Sequence, residues 1–297
     1  MSYTSDSLFN ISCNGGNDGS IDITITGGSG NYTYFWTDSA LFSATTRNIS
    51  NLSAGTYVCE IKDVNGCILR LQPSSALPAF TLTEPAPLDI TSVLSASPAG
   101  PFNIGCNGGT GSIDISVTGG SEGLYQFKWS ASEGGSGIVD GEEDQFSLTA
   151  GRYHLEVEDL YGCIAVYDTI LTEPDEISTV VVTTNITCGA VGLDNGSIEL
   201  SVTGGVAPYT YFWTDSVSFS STDKDISNLG EGTYYVTITD ANGCVYIDSA
   251  HIELPPAITF TTTLSDRNGY NVSCYGRSDG AIDISLTSGL APYVFNW

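Results

Sequence analysis

The sequence predicts an all-β protein of tandem immunoglobulin-like (Greek-key) β-sandwich modules in an elongated array. Three observations lead there. Charged residues make up only 14% and there is a single Met, while Gly, Thr, Ser, Ile, Val and Tyr are abundant, so strand-forming material dominates over helix-forming material. Landmarks return about every 85 residues, with tryptophans at Trp36, Trp129, Trp213 and Trp297, a period too long for solenoid units and suited to small domains with their own cores. Inside each period a segment alternates strictly between apolar and polar residues, the period-two mark of a half-buried strand. The expected domains are 1–85, 86–174 and 175–255, with 256–297 as a partial fourth copy.

Each copy opens with an extended β-branched stretch, clearest in ISTVVVTTNITC, and passes a polar glycine turn, CNGGNDGS or CGAVGLDNGS. The strand that follows reads SIDITIT, SIDISVT, SIELSVT and AIDISLT. It puts Ile21, Ile23 and Ile25, or Ile198, Leu200 and Val202, on one face, and turns Asp22, Asp114, Glu199 and Asp283 to water. A glycine pair (Gly27-Gly28, Gly119-Gly120, Gly204-Gly205) then leads into an aromatic strand, YTYFW, YQFKW, YTYFW and YVFNW. Period two groups Tyr32, Tyr34 and Trp36, and likewise Tyr125, Phe127 and Trp129, and Tyr209, Tyr211 and Trp213. Such a row can serve as a sugar platform, but its alignment with the isoleucine face favours core packing. Phe35 and Phe212 point the other way and are candidates for contacts between modules or with a ligand.

Tyr57, Tyr153 and Tyr234 begin a strand just after a glycine, as in a tyrosine corner. A turn, NG in copies one and three, reverses the chain into the last strand. The joints TEPAPLDI, TEPDEIST and ELPPAITF read as short, stiff linkers. Residues 257–297, without a corner strand and a final strand, are expected to expose a sheet edge and an aromatic face that another chain can pair with.

Six cysteines stand at two landmarks of each copy: Cys13 and Cys67, Cys106 and Cys163, Cys188 and Cys244. A disulfide within each copy is expected, and closing a loop of roughly 55 residues contributes about 4 kcal/mol in the chain-entropy account. Oxidising, extracellular surroundings follow; the alternative is six reduced core cysteines in a cytosolic protein. Cys274 occupies the first landmark of the fourth copy and is expected to be unpaired. Cys59, where the other copies carry Leu155 and Val236, is expected to be a buried free thiol.

The net charge of −26, from 34 acidic and 8 basic residues, argues against nucleic acid and favours solubility. No apolar run approaches membrane-spanning length, so no membrane insertion is expected. The opening MSYTSDSLFN lacks the segments of a signal peptide and reads as the start of a fragment.

Together the opening C-N-G-G-x-D-G-S-I of Cys13 to Ile21, the T-G-G with the aromatic strand ending at Trp36, and L-x-x-G-x-Y leading to D-x-N-G-C at Cys67 resemble the SprB repeat, a module of giant surface adhesins of gliding Bacteroidetes. The resemblance covers essentially the whole chain, and GTYYVTITDANGC is also similar to a strand pair of PKD-type sandwich domains. Copy two departs in the loop SASEGGSGIVDGEEDQ and in the turn DLYGC. The resemblance implies type IX export, display as cell-surface filaments, and a link to adhesion and gliding. Since the chain lacks the sorting domain such export needs, it is expected to be internal to a larger protein. Asp-Ser/Thr-apolar triplets at Ser7, Ser39, Thr169, Ser216 and Ser249 look like the O-glycosylation motif of that phylum.

No catalytic residue is expected. His154 and His251 do not recur and read as incidental surface histidines, and Glu142, Glu143 and Asp144 read as a solvated acidic loop. No cofactor is expected apart from calcium, for which Asp18, Asp194 and Asp279 after the first cysteine and Asp63, Asp159 and Asp240 before the second are candidates. Structural Asx turns are the competing reading and the favoured one. The expected function is that of a structural and adhesive segment of an extracellular filament, its partners being surface glycans or proteins and further repeats of the same or a neighbouring chain, with avidity supplied by repetition. The alternatives are a glycan-binding array attached to a secreted polysaccharide-degrading enzyme, and a passive stalk.

Overall fold

The computed structural model describes residues 9–69, 76–121, 123–187, 194–289 and 291–297. Among them there are strands and turns and no helix. Copy one holds β1 (Gly19–Ile21), β2 (Thr33–Thr37), β3 (Ser43–Ala44), β4 (Ile49–Leu52), β5 (Gly55–Lys62) and β6 (Ala79–Leu82). Copy two holds β7 (Asp89–Leu94), β8 (Gly111–Thr118), β9 (Gln126–Ser132), β10 (Gln145–Leu148), β11 (Gly151–Glu158) and β12 (Ile164–Leu171). Copy three holds β13 (Ser178–Thr184), β14 (Gly196–Thr203), β15 (Thr210–Thr214), β16 (Ser220–Ser221), β17 (Ile226–Leu229), β18 (Gly232–Thr239) and β19 (Val245–Ile252). Copy four holds β20 (Thr259–Leu264) and β21 (Ile282–Ser288).

Copy three shows the plan in full. Its first, second and fifth strands form the sheet β13-β14-β17, and the others form β16-β15-β18-β19. This division, with antiparallel pairing throughout, is the Greek-key arrangement of an immunoglobulin-like sandwich. One core cluster draws on both sheets, with Ile198, Leu200 and Leu229 from one and Trp213, Val236, Ile238 and Ile252 from the other. Copy two repeats it as β10-β8-β7 and β12-β11-β9, and copy one as β1-β4 and β3-β2-β5-β6. Every strand pair among the described residues joins strands of one copy.

The alternation read from sequence is the burial pattern of the structure. Trp36 and Trp213 are fully buried and Trp129 nearly so, which places the aromatic row in the core. A buried indole N–H needs an acceptor. Trp36 Nε1 donates to Thr46 O at 2.9 Å, Trp129 Nε1 to Glu142 O at 3.0 Å and Trp213 Nε1 to Lys224 O at 3.3 Å. The corner tyrosines donate four residues back: Tyr57 to Ser53 O at 2.9 Å, Tyr153 to Thr149 O at 2.7 Å and Tyr234 to Gly230 O at 3.1 Å. The long loop of copy two is held by Gln145, fully buried, whose side chain accepts from Val139 N at 2.8 Å and donates to Val139 O at 2.9 Å.

Two departures from the expected strands have local reasons. The SIDITIT strand of copy one is only β1, three residues long, and among the described residues it bonds β4 alone, whereas β8 and β14 are bonded on both sides. Copy four is a two-stranded sheet whose apolar face stays open, with a hollow lined by Phe260, Ile284, Leu286 and Tyr293. The chain groups into two compact units, Met1–Ala96 with Gly108–Thr172, and Ser97–Asn107 with Glu173–Trp297.

Candidate functional site

The chemistry that recurs lies in two cysteine loops per copy. The first-cysteine loop is tied to the strand end that closes its own copy. Asn10 and Ile11 amides donate to Thr83 O at 2.9 and 3.1 Å, Gly15 N to Glu84 Oε2 at 2.7 Å and Asn14 Nδ2 to Pro85 O at 3.0 Å. In copy two, Asn107 Nδ2 likewise donates to Pro174 O at 3.1 Å. The threonine–glutamate–proline joints are therefore bonded parts of the sandwich end.

The second-cysteine turn sits at the other end, beside the glycine pair. Asp240 Oδ1 accepts from Asn242 N at 2.8 Å and Cys244 N at 2.9 Å, and its Oδ2 accepts from Val206 N at 2.9 Å. Asp159 does the same with Tyr161 N and Cys163 N, both at 2.9 Å, and Ser121 N at 2.8 Å. In copy one Asp63 takes Asn65 N at 3.0 Å, Cys67 N at 2.9 Å and Ser29 N at 3.3 Å. Burial pushes the Asp159 carboxyl up, but the Ser121, Cys163 and Tyr161 amides together hold it below the ordinary carboxylate value. The Cys67 amide is the main cause that lowers Asp63. The glycine pair meets the incoming chain: Gly120 N donates to Ala86 O at 2.9 Å and Gly205 N to Asp175 O at 2.8 Å. A Cβ on Gly119 or Gly204 would lie 1.9 Å from Pro87 O or Glu176 O, so both positions require glycine.

Two disulfides join these loops, Cys13–Cys163 with Cα atoms 5.6 Å apart and Cys106–Cys244 with Cα atoms 5.7 Å apart. The first cysteine of one copy is bonded to the second cysteine of the next. This corrects the expected pairing within copies: Cys13 is not bonded to Cys67, nor Cys106 to Cys163, nor Cys244 to Cys188. Cys67 is a free, exposed thiol, and Cys188 lies outside the described residues. The reason is the length of a strand. The equivalent strands β8 and β14 hold eight residues each and span about 26 Å at 3.3 Å per residue, whereas a disulfide bridges Cα atoms about 6 Å apart. Counting chain reversals carries the same signal. The strand after the first cysteine runs away from it, the aromatic strand returns, and the corner strand runs away again into the second cysteine.

Asn242 adds a clasp around Cys106–Cys244. Its Oδ1 accepts from Ala99 N at 2.7 Å and from Ser97 Oγ at 3.0 Å, and its Nδ2 donates to Gly105 O at 2.8 Å. Sequence reading missed this residue, which the D-A-N-G-C motif marks only as a turn former.

The remaining candidates fall as follows. Cys59 is fully buried and free, and burial pushes its thiol up to about 11. Cys274 is free and exposed. Asp18 and Asp279 accept from Ser12 N and Ser273 N at 3.1 and 3.0 Å. Asp194 is exposed, and in copy three the matching bond is made by Asn195, whose Oδ1 accepts from Thr187 N at 3.3 Å. A neutral acceptor serves at this place, as an Asx turn requires. Among the described residues no three His, Cys, Asp or Glu side chains gather to hold a metal. Ser39, Ser216 and Ser249 are exposed and Thr169 is half-buried, while Ser7 lies outside the described residues. His154 Nδ1 lies 3.0 Å from Asp168 Oδ1 and His251 Nδ1 lies 3.0 Å from Thr233 Oγ1, both pairs exposed. Asp144 Oδ1 accepts from Ile115 N at 2.8 Å, the role Asp225 plays toward Leu200 N.

The sequence profile of the SprB repeat matches residues 6–41, 102–134, 180–218 and 270–297, each stretch running from before or within the first-cysteine loop into the aromatic strand or just past it. Four segments of the chain match the SprB repeat. No curated protein matches it. Solved structures similar to the chain include the eight N-terminal Ig domains of Down Syndrome Cell Adhesion Molecule, at 15% identity over 74% of this chain and 32% of that one, TM-score 0.35. Three N-terminal domains of the bacteriophage RB49 outer capsid protein Hoc share 12% identity over 82% of this chain and 97% of that one, TM-score 0.39. A tetra-tandem repeat of a large adhesion protein shares 15% identity over 95% and 86%, TM-score 0.25. The SprB repeats support an adhesin-like repeat segment, and the two disulfides among the described residues fit an extracellular protein. No helix among the described residues is long and apolar enough to cross a membrane.

Proposed function

We propose that this SprB array is a structural and adhesive segment of a cell-surface filament or giant adhesin, exported by the type IX route and acting in surface adhesion and gliding. The supporting observation is the pair of disulfides that lock successive copies together, a use of cysteine that serves mechanical continuity. Repetition then multiplies weak contacts into avidity. Immunogold electron microscopy of intact source cells, with an antibody raised against residues 1–256, tests it. Labelled fibres leaving the cell surface support the reading, and label confined to the medium or to polysaccharide removes it.

The second reading, a glycan-binding array, draws on Phe35 and Phe212, which hold equivalent outward positions on β2 and β15 and are each 51% exposed. Stacking of a sugar ring on these rings would weaken about tenfold in a Phe35→Ala, Phe212→Ala variant, taking one to two kcal/mol for the aromatic contact. Equal glycan retention by the variant and the native array removes this reading.

A further inference from the structure

We propose that the outward face of β15, β18 and β19 in copy three is a binding site for an uncharged polysaccharide chain, with Phe212 and Tyr235 as the rings on which its sugars stack. The inference rests on the glycan-binding reading above and gives that reading one place and one ligand class.

The strand register builds the face. Phe212, Thr237 and Ile247 lie in one cross-strand row, and Thr214, Tyr235 and Ser249 lie in the next. Residues paired across antiparallel strands share a face, as do residues two apart on one strand. Both rows therefore point away from the core that Trp213 and Val236 help to fill. Phe212 and Tyr235 are diagonal neighbours, about 7–8 Å apart. They are 51% and 48% exposed, and Val245 and Ile247 beside them are 60% and 65% exposed.

Charge sets this face apart. The chain carries 34 acidic side chains, yet none of the outward positions of β15, β18 and β19 holds Asp, Glu, Lys or Arg. In copy two the same positions are ionic. Lys128 stands in the place of Phe212, His154 in that of Tyr235 and Glu156 in that of Thr237, and Lys128 Nζ lies 3.4 Å from Glu156 Oε1. Copy one keeps a ring, Phe35, but sets Glu60 opposite it, has Val58 in place of the second ring, and pairs Glu60 with Lys62. Copy three thus differs from both by two outward rings in an uncharged surround.

The ligand class follows from that chemistry. A sugar presents a C–H face to an aromatic ring and hydroxyls at its rim, and Thr and Ser hydroxyls both donate and accept. Aromatic side chains with a few polar groups around them suit such a molecule. A polyanion is disfavoured by the net charge of −26. A protein partner is disfavoured by size. Three strands about 4.8 Å apart and about five residues long make a face of roughly 250 Å², against about 800 Å² per partner in a stable interface.

The test is retardation of the full chain, relative to a reference protein that binds no glycan, in native gels cast with hydroxyethylcellulose, galactomannan or alginate. Retardation by an uncharged polysaccharide and none by the acidic alginate is expected. Phe212→Ala and Tyr235→Ala should each weaken it about tenfold, and Phe35→Ala should leave it within about twofold. Thr237→Glu installs the residue that copy two carries at Glu156 and touches neither ring. It should abolish retardation while β18 hydrogen exchange stays unchanged, the sign of an intact sandwich. Phe35→Ala as damaging as Phe212→Ala, or alginate bound as strongly as the uncharged probes, overturns the proposal and leaves the glycan reading standing. Retardation in none of the three gels removes both. A dimer in sedimentation that Phe212→Ala dissolves assigns the face to a second copy and overturns the proposal.

Discussion

Copies three and four share the same opening and differ in what covers it. SIELSVT and AIDISLT both form the strand expected of them, as β14 and β21. Both go on through an Ala-Pro-Tyr segment to a tryptophan. Trp213 is fully buried and its N–H is bonded, whereas Trp297 is 83% exposed. Ile198 is fully buried in β14, and Ile282, opening the same motif in β21, is 57% exposed. Alternation therefore decides which face of a strand is apolar, and burial of that face in copy three depends on β17, β18 and β19, whose counterparts are not among the described residues of copy four. A two-stranded sheet alone is marginal in water.

The sharpest way to break that comparison is to remove the indole from each copy. Trp213→Ala should cost about 3–5 kcal/mol, since it leaves a cavity in a closed core. Trp297→Ala, on an exposed side chain, should stay within about 0.5 kcal/mol. Hydrogen exchange of β14, β18 and β21 peptides separates the two, because unfolding of a multi-module chain is not a single transition. In the native chain β14 amides should be protected at least a hundredfold more than those of β21. Equal protection, or equal cost, would mean that copy four owes its stability to something other than a closed sandwich.

The same contrast shows why some features could be read from residues and others could not. The strand faces, the three core tryptophans, the tyrosine corners and the buried thiol of Cys59 each depend on neighbours within one copy, and local alternation or motif spacing reports them. The disulfide partners depend on which end of a sandwich a loop occupies. The similar spacing of Cys13 to Cys67 and of Cys106 to Cys163 says only that both landmarks recur, and an eight-residue strand such as β8, about 26 Å long, then places them out of reach. Asn242 escaped for a similar reason: its acceptors and donors lie more than a hundred residues away in sequence. In copy three the bond that Asp18 makes in copy one is made by Asn195, the neighbour of Asp194.

The acid-sensitive element of the closed copies comes next in size. Asp159 has a folded value below the ordinary carboxylate value of about 3.9, so its contribution is fully present above that value and fades as pH falls through the depressed one. Asp159→Asn keeps one acceptor but loses the charge, and should cost about 1–2 kcal/mol at neutral pH. The loss should shrink as the native protein is acidified below pH 4. The described residues of copy four include no such turn, so β21 exchange should not respond to the substitution. A cost that is independent of pH would show that shape, rather than charge, holds the turn.

A smaller effect is expected from the corner. Tyr234→Phe removes the bond to Gly230 O but keeps the ring against Phe219, whose centroid lies 5.2 Å away. Its cost should be about 1 kcal/mol. Tyr293→Phe in the open copy should be near neutral by comparison, and matched losses would contradict a role specific to the closed sandwich.

The smallest effect sharpens the comparison most, because it sets thiols in closed and open copies side by side. Cys59 occupies the core position held by Leu155 and Val236, both fully buried. With its thiol raised to about 11 by burial, it stays protonated at neutral pH, and the thiolate is the reactive form. Iodoacetamide at pH 8 should therefore label Cys274 and Cys67 and spare Cys59 until copy one unfolds. Because β-branched Val already serves at this place in copy three, Cys59→Val should change stability by less than about 0.5 kcal/mol, with either sign allowed by the fit of the second methyl. Labelling of Cys59 at the rate of Cys274 would show that the sandwich of copy one opens on the time scale of the reaction, and the contrast between closed and open copies would then not extend to the first repeat.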